Sequence, residues 1–219
     1  IGFGRYAGIV GAYNGFRAFG LKYEIFNLPK AEKLPNQEAL ITQLKKPFLP
    51  PIKIVLSGKG KVAMGAKEML DGMKVKEVSV EDYLSTTYTY PVYTMIDVKD
   101  YNIHKEGSAF DKKDFYANPQ NYNSNFERFA EVSDIFIAGH FYGNGAPVIL
   151  SKEMLASPKC KIKVVADISC DIDGPIACTL RASTIAEPNY GYLPSEHKEV
   201  DMFHPSAIVV MAVDNLPWE

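Results

Sequence analysis

One stretch constrains the fold of this chain more than any other: Ile52–Leu70, IKIVLSGKGKVAMGAKEML. Ile52 to Leu56 has the length and apolar character of a short buried strand. Ser57-Gly58-Lys59-Gly60-Lys61 is a tight glycine turn, and a helix is expected from about Val62 to Leu70. The spacing from Gly58 to Gly65 is G-x-G-x-x-A-x-G, with Ala63 where dinucleotide-binding turns tolerate glycine or alanine. Glycines let a backbone approach a pyrophosphate, and the free N–H groups of a first helical turn point at it. The stretch therefore predicts an anion site at Gly58, Gly60, Lys61 and Val62. A second strand is expected over Lys76–Val80, ending at Glu81-Asp82. That places Glu81 about 20 residues past the turn, where a ribose-binding carboxylate belongs.

The rest of the chain fits an α/β protein with a doubly wound, mostly parallel sheet covered by helices on both faces. Ile1–Gly20 is rich in glycine and small residues, suited to a helix that packs closely on another backbone or hinges two domains. Asn36 is placed to cap a helix over EALITQLKK, which Pro47, Pro50 and Pro51 end. Tyr83–Tyr101, rich in tyrosine and threonine, reads as extended or hairpin material inserted after the second strand, within 83–105. Ser124 and Glu127 match a capping box, and Ser151 caps a short helix. Ile135–Ala138 and Lys163–Ile168 read as buried strands, and Ala207–Val213 as a last one. The loops Gly139-His140 onward and Ser169–Gly174 then follow strand ends, the edge that lines a ligand crevice in such sheets. The expected division is a linking helix at 1–20, a nucleotide-binding domain at 21–204, and a terminal strand with return segment at 205–219.

Composition narrows the partners. The chain of 219 residues has a net charge of -2 and 47% hydrophobic residues, so no basic field for nucleic acid is implied. No apolar run approaches a membrane span. Three cysteines lack zinc-ligand spacing and suggest reduced thiols in a cytoplasmic protein. The loop Ser169–Gly174 lacks the ligand pattern of a calcium site, so no metal is expected. The chain opens at Ile1 inside patterned sequence and reads as a fragment of a longer protein, so no targeting peptide can be read.

Several segments together resemble one family. They are FGRYAGIVGAYNGFRAFG, SGKGKVAMGAKEML, FYANPQNYNSNFERFAEVSDIFIAGHFY, VVADISCDIDGPI, STIAEPNYGY and MAVDNLP, in order along almost the whole chain. They resemble the lysine-forming saccharopine dehydrogenases and the lysine–ketoglutarate reductase half of aminoadipate-semialdehyde synthase. The wider superfamily holds alanine dehydrogenase and the transhydrogenase nucleotide domain. The resemblance implies a two-domain NAD(P)-dependent enzyme that joins lysine and 2-oxoglutarate through a reduced imine, or runs the reverse. It implies Phe3 and Gly4 at the cleft near substrate and Gly60-Lys61 under the pyrophosphate. It places Gly139, His140, Ala166, Asp167, Ile168 and Ser169 near the nicotinamide and its ribose. The family's acid–base lysine and histidine belong to a preceding substrate domain, so no catalytic residue is assigned here. His140 stands where relatives tend to be apolar, and Arg5 where they vary, which opens a different amino-acid substrate. As a carboxylate, Glu81 favours NAD, with NADP as the alternative. The competing readings are a noncatalytic nucleotide-sensing module, an alanine-dehydrogenase-like enzyme and a methyltransferase of similar topology. Leu56-Ser57 before Gly58 argues against the last, and an oligomer is possible.

Overall fold

A computed structural model describes residues 4–214. The chain opens with α1 (Gly4–Tyr23) and α2 (Gln37–Leu44), then β1 (Lys53–Ser57), α3 (Lys61–Gly72), β2 (Lys76–Glu77), α4 (Val80–Ser85) and β3 (Val92–Ile96). It continues through α5 (Val98–Tyr101), β4 (Asn102–His104), α6 (Lys112–Ala117), β5 (Tyr122–Ser124), α7 (Glu127–Ala130) and β6 (Ile135–Ala138). Then come α8 (Lys152–Ala156), β7 (Val164–Asp167), β8 (Asn189–Leu193), β9 (Lys198–Val200) and β10 (Ile208–Met211).

Eight strands form one sheet in the order β2-β3-β1-β6-β7-β10-β8-β9, while β4 and β5 make a separate antiparallel pair. From β2 to β10 the pairing is parallel; β8 and β9 add an antiparallel edge. Alternate residues of each central strand feed two cores. Ile54, Leu56, Tyr93, Met95, Ile135 and Ile137 face one way with α1, α2 and α3. Val55, Val92, Ile96, Phe136, Ala138 and Val165 face the other. A sheet buried on both faces is the doubly wound arrangement expected.

Helix α1 lies across α3. A Cβ on Gly8 would stand 1.9 Å from the Val62 carbonyl oxygen, and one on Gly65 would stand 1.9 Å from that of Arg5. The glycine face thus seats two helix backbones directly against each other. The expected caps also form: Asn36 accepts from the Ala39 amide, and Ser151 from Met154.

Four expectations are corrected. The stretch 83–105 is not an insertion, because β3 within it pairs with β1 along its full length. The second strand ends at Glu77 rather than Val80. Ser79 caps a new helix there by accepting from the Asp82 amide, which turns Glu81-Asp82 into the acidic first turn of α4. Ser124 makes no capping box; its hydroxyl donates to the Ile149 carbonyl, and Phe126 starts α7 without a side-chain cap. Finally, α3 starts at Lys61 and extends to Gly72, past the expected Leu70. Among the described residues no helix is long and apolar enough to cross a membrane.

Candidate nucleotide site

The site begins where β1 ends. Gly58 has φ +108°, a left-handed conformation that disfavours any Cβ, and a Cβ there would meet the Gly139 carbonyl oxygen at 2.4 Å. Its amide donates to the Ile96 carbonyl, and the Gly139 amide donates to the Ser57 carbonyl. The ends of β3, β1 and β6 are therefore tied together at this turn. Gly60 is the N-cap of α3 and offers no side-chain cap to it. The first-turn amides point outward with their partial positive charge, the arrangement that binds anions. A Cβ on Gly60 would meet nothing within 4 Å, so the space in front of the helix is open.

That space is a crevice of about 420 Å³. The turn contributes Gly58, Lys59, Gly60, Lys61 and Val62; the end of β3 and α5 contribute Asp97, Val98 and Tyr101. Lys112 and Tyr116 reach in from α6, and Gly139, His140 and Phe141 from the end of β6. Three lysines against one carboxylate make the lining cationic on balance. The crevice sits at the carboxyl ends of the strands, where the sheet order turns back on either side of β1, the usual ligand position in such sheets. A small apolar recess walled by Phe115, Tyr142 and Pro147 adjoins it.

His140 is buried at the floor. Its Nδ1 lies 2.6 Å from the Ser57 hydroxyl, and its ring stacks on Phe136 at 6.4 Å between centroids. Its Nε2 is buried with no hydrogen-bond partner among the described residues. Burial pushes its pKa down to about 4, so the imidazole is neutral at physiological pH. A buried, neutral ring bonded to Ser57 is a poor proton shuttle.

The other expected residues divide. Gly58, Gly60, Lys61, Val62, Gly139 and His140 line one crevice. Gly4 packs beside Lys61 and Val62 at its rim. Phe3 lies outside the described residues. Glu81 is exposed on α4 and is not among the crevice residues. The carboxylate that stands there is Asp97, one residue past β3, whose Ile96 is in register with Ser57. The side chains of 166–169 are engaged elsewhere. A Cβ on Gly15 would meet the Ala166 side chain at 2.9 Å, and one on Gly11 would meet Ile168 at 2.5 Å, so both pack under α1. Asp167 is fully buried; it accepts from the Thr179 hydroxyl at 2.6 Å and the Cys170 amide at 3.0 Å. Burial pushes its pKa up to about 6. Ser169 donates to the His140 carbonyl. Arg5 forms a two-pronged pair with Glu68 at 2.7 Å and also bonds Gln37.

Sequence reasoning missed Asp97, Lys112 and Phe141. A signal for Asp97 was present: the β-prone run Val92-Tyr93-Thr94-Met95-Ile96 ends in Asp97 with Asp100 three residues on. Those two residues form a capping box at the start of α5.

The chain is 29% identical over its whole length to alpha-aminoadipic semialdehyde synthase of Arabidopsis thaliana, covering 24% of that protein. It is 23% identical over 99% of its length to the mitochondrial alpha-aminoadipic semialdehyde synthases of Bos taurus and Rattus norvegicus, covering 28% of each. The chain thus spans about a quarter of these homologues, the proteins the sequence motifs pointed to. Among solved structures, an L-alanine dehydrogenase aligns at 15% identity with a TM-score of 0.48, over 98% of this chain and 47% of that one. No protein-family model matches the chain.

Proposed function

We propose that this chain is the nucleotide-binding part of an NAD(P)-dependent oxidoreductase acting on an amino acid, of the saccharopine-forming or saccharopine-cleaving type. Its homology to alpha-aminoadipic semialdehyde synthases supports an amino-acid oxidoreductase. One observation carries the nucleotide assignment: the uncapped N-terminus of α3 opens at Gly60 into a lysine-lined crevice at the sheet's ligand-binding edge. The first-turn amides of α3 and Lys61 hold a pyrophosphate. Gly60 leaves room for it. A bound nicotinamide supplies the hydride chemistry. The neutral His140 and the buried Asp167 shape the floor and its neighbouring loop, and the acid–base work falls to groups outside the crevice lining. The bovine and rat relatives are named as mitochondrial, which gives no support to a cytoplasmic location.

The test is calorimetric titration with NADH and NADPH. At least one binds the wild type, and Gly60→Val, whose added atoms enter the phosphate space, weakens that binding by at least about tenfold while the far-UV spectrum is kept. Unchanged affinity in a folded Gly60→Val protein overturns the assignment.

A further inference from the structure

We propose that Asn14, Arg17 and Lys30 form a second ligand site, which takes the carboxylate of a small organic acid. It is independent of the nucleotide reading, because among the described residues its lining shares none with the nucleotide crevice. The site lies between α1, the turn Ala31–Lys33 and the chain leading into β8. There an open cleft of about 460 Å³ adjoins a recess of about 10 Å³. Arg17, Lys30 and Pro188 wall both spaces, while Asn14 and Val213 wall the recess. The recess has room for about one water-sized group.

The course of the chain builds this site. Asn14 and Arg17 are three residues apart on α1, so their side chains leave the helix on one face. After α1 the chain doubles back along it. The Tyr13 hydroxyl donates to the Pro29 carbonyl at 2.8 Å, and Arg17 Nε donates to the Leu28 carbonyl at 3.0 Å. Those bonds bring Lys30 up to the same recess as Arg17. The Lys30 ammonium is held in turn by the Ala186 carbonyl at 2.7 Å.

Donors are left over in the recess. Asn14 is only 9% exposed, and its side-chain amide makes no hydrogen bond among the described residues, an unfavourable arrangement in the middle of a helix. Arg17 bonds through Nε alone, which leaves the donors of both terminal nitrogens open. Lys30 uses one of its three donors; the Glu32 carboxylate is 4.0 Å away, too long for a hydrogen bond. Two cations and one carboxylate wall the recess, so an anion is favoured there. The guanidinium fork matches the paired oxygens of a carboxylate. Such a group is planar, so one oxygen enters the recess toward Asn14 while the other stays against Arg17 and Lys30. A phosphate is bulkier, and Glu32 opposes its second charge. The rest of the acid lies in the open cleft.

The experiment titrates wild type, Asn14→Leu and Arg17→Lys with succinate, L-glutamate and inorganic phosphate by calorimetry, and follows the Asn14 side-chain amide resonances of wild type. At least one of the two acids should bind wild type more tightly than phosphate does and shift those resonances. Arg17→Lys keeps the charge and loses the fork; Asn14→Leu keeps the size and loses the donor. Each should weaken the acid by at least about tenfold. Asn14→Leu has a second readout in the absence of ligand. Removing a buried amide that has no partner, and gaining a better helix former, should leave the urea midpoint equal to or above wild type. A purely structural role for Asn14 would lower it. The site is overturned if neither acid binds folded wild type, if binding survives both substitutions, or if phosphate is preferred. A lowered midpoint for Asn14→Leu also overturns it, since Asn14 then has a partner in the free protein.

Discussion

Replacing Gly65 by alanine tests the helix crossing on which the site's position depends. The new Cβ would lie 1.9 Å from the Arg5 carbonyl oxygen and 2.8 Å from its carbon. Carbon–oxygen contacts normally sit near 3.3 Å or beyond, so α1 and α3 must part by roughly 1.4 Å. The obstacle is backbone rather than the end of a flexible side chain, which puts the cost at the upper end of overpacking penalties, about 3 kcal/mol. Alanine's better helix propensity offsets about 1 kcal/mol of this, leaving a net loss of about 2 kcal/mol. In urea unfolding followed by far-UV circular dichroism, with a slope of about 2–3 kcal/mol/M, the midpoint should fall by roughly 0.7–1 M. Gly60→Ala is the control, since its Cβ meets nothing within 4 Å. Gly8→Ala, which meets the Val62 carbonyl from the other helix, should behave like Gly65→Ala. The double variant should cost less than the sum, because one separation relieves both clashes. A midpoint for Gly65→Ala equal to or above wild type would refute the crossing.

Two buried groups predict opposite pH dependences. Asp167 is held near pKa 6 when folded and titrates near 3.8 when unfolded, so the folded state binds more protons between those values. Its contribution to stability is therefore present below about pH 3.8 and lost as pH rises to about 6; Asp167→Asn should remove that decline, read from chemical-denaturation midpoints at stepped pH. His140 has its folded pKa depressed from 6.5 to about 4, so its contribution is present above pH 6.5 and lost as pH falls to about 4. His140→Gln should flatten that acid-side loss, and the imidazole resonances of wild-type His140 should show no titration between pH 7 and pH 5. A midpoint near 6.5 in that titration would mean the ring is solvated and Ser57 does not hold it.

Much of this architecture was written in local signals. The turn after β1, the strand Ile135–Ala138 and the caps at Asn36 and Ser151 each follow from a few adjacent residues, and local chemistry decided them. The failures came where distant residues decide. The stretch holding β3, rich in tyrosine and threonine, read as an insertion, yet Thr94 donates to the Val78 carbonyl, and the Tyr93 hydroxyl reaches Asp71 on α3 and Glu77 on β2. Partners elsewhere along the chain satisfy the polar groups that set this stretch apart from the other buried strands. Glu81 was misplaced because an acidic pair after a short apolar run marks a strand end and a helix start equally well. The choice rests on Ser79, whose side chain caps the new helix. The burial of Asp167 and its bond to Thr179, and the bond between His140 and Ser57, have no sequence signature at all.

The place of β10 has a consequence for how the chain comes to be folded. This strand enters the sheet between β7 and β8, so among the described strands the β8–β9 hairpin pairs with the rest of the sheet through it. Until β10 is synthesised, β7 has an open edge and the hairpin has no sheet to join. Helix α1, made long before, rests partly on β7 and β10 and lacks that floor for as long. At about 5–20 residues per second, the delay between α1 and β10 is on the order of 10–40 s. In the last part of that interval, between β7 and β10, the parallel edge of β7 is unpaired, a surface that invites association with other chains. The sheet therefore closes from its interior, and β10, the latest of its strands among the described residues, completes the floor under α1.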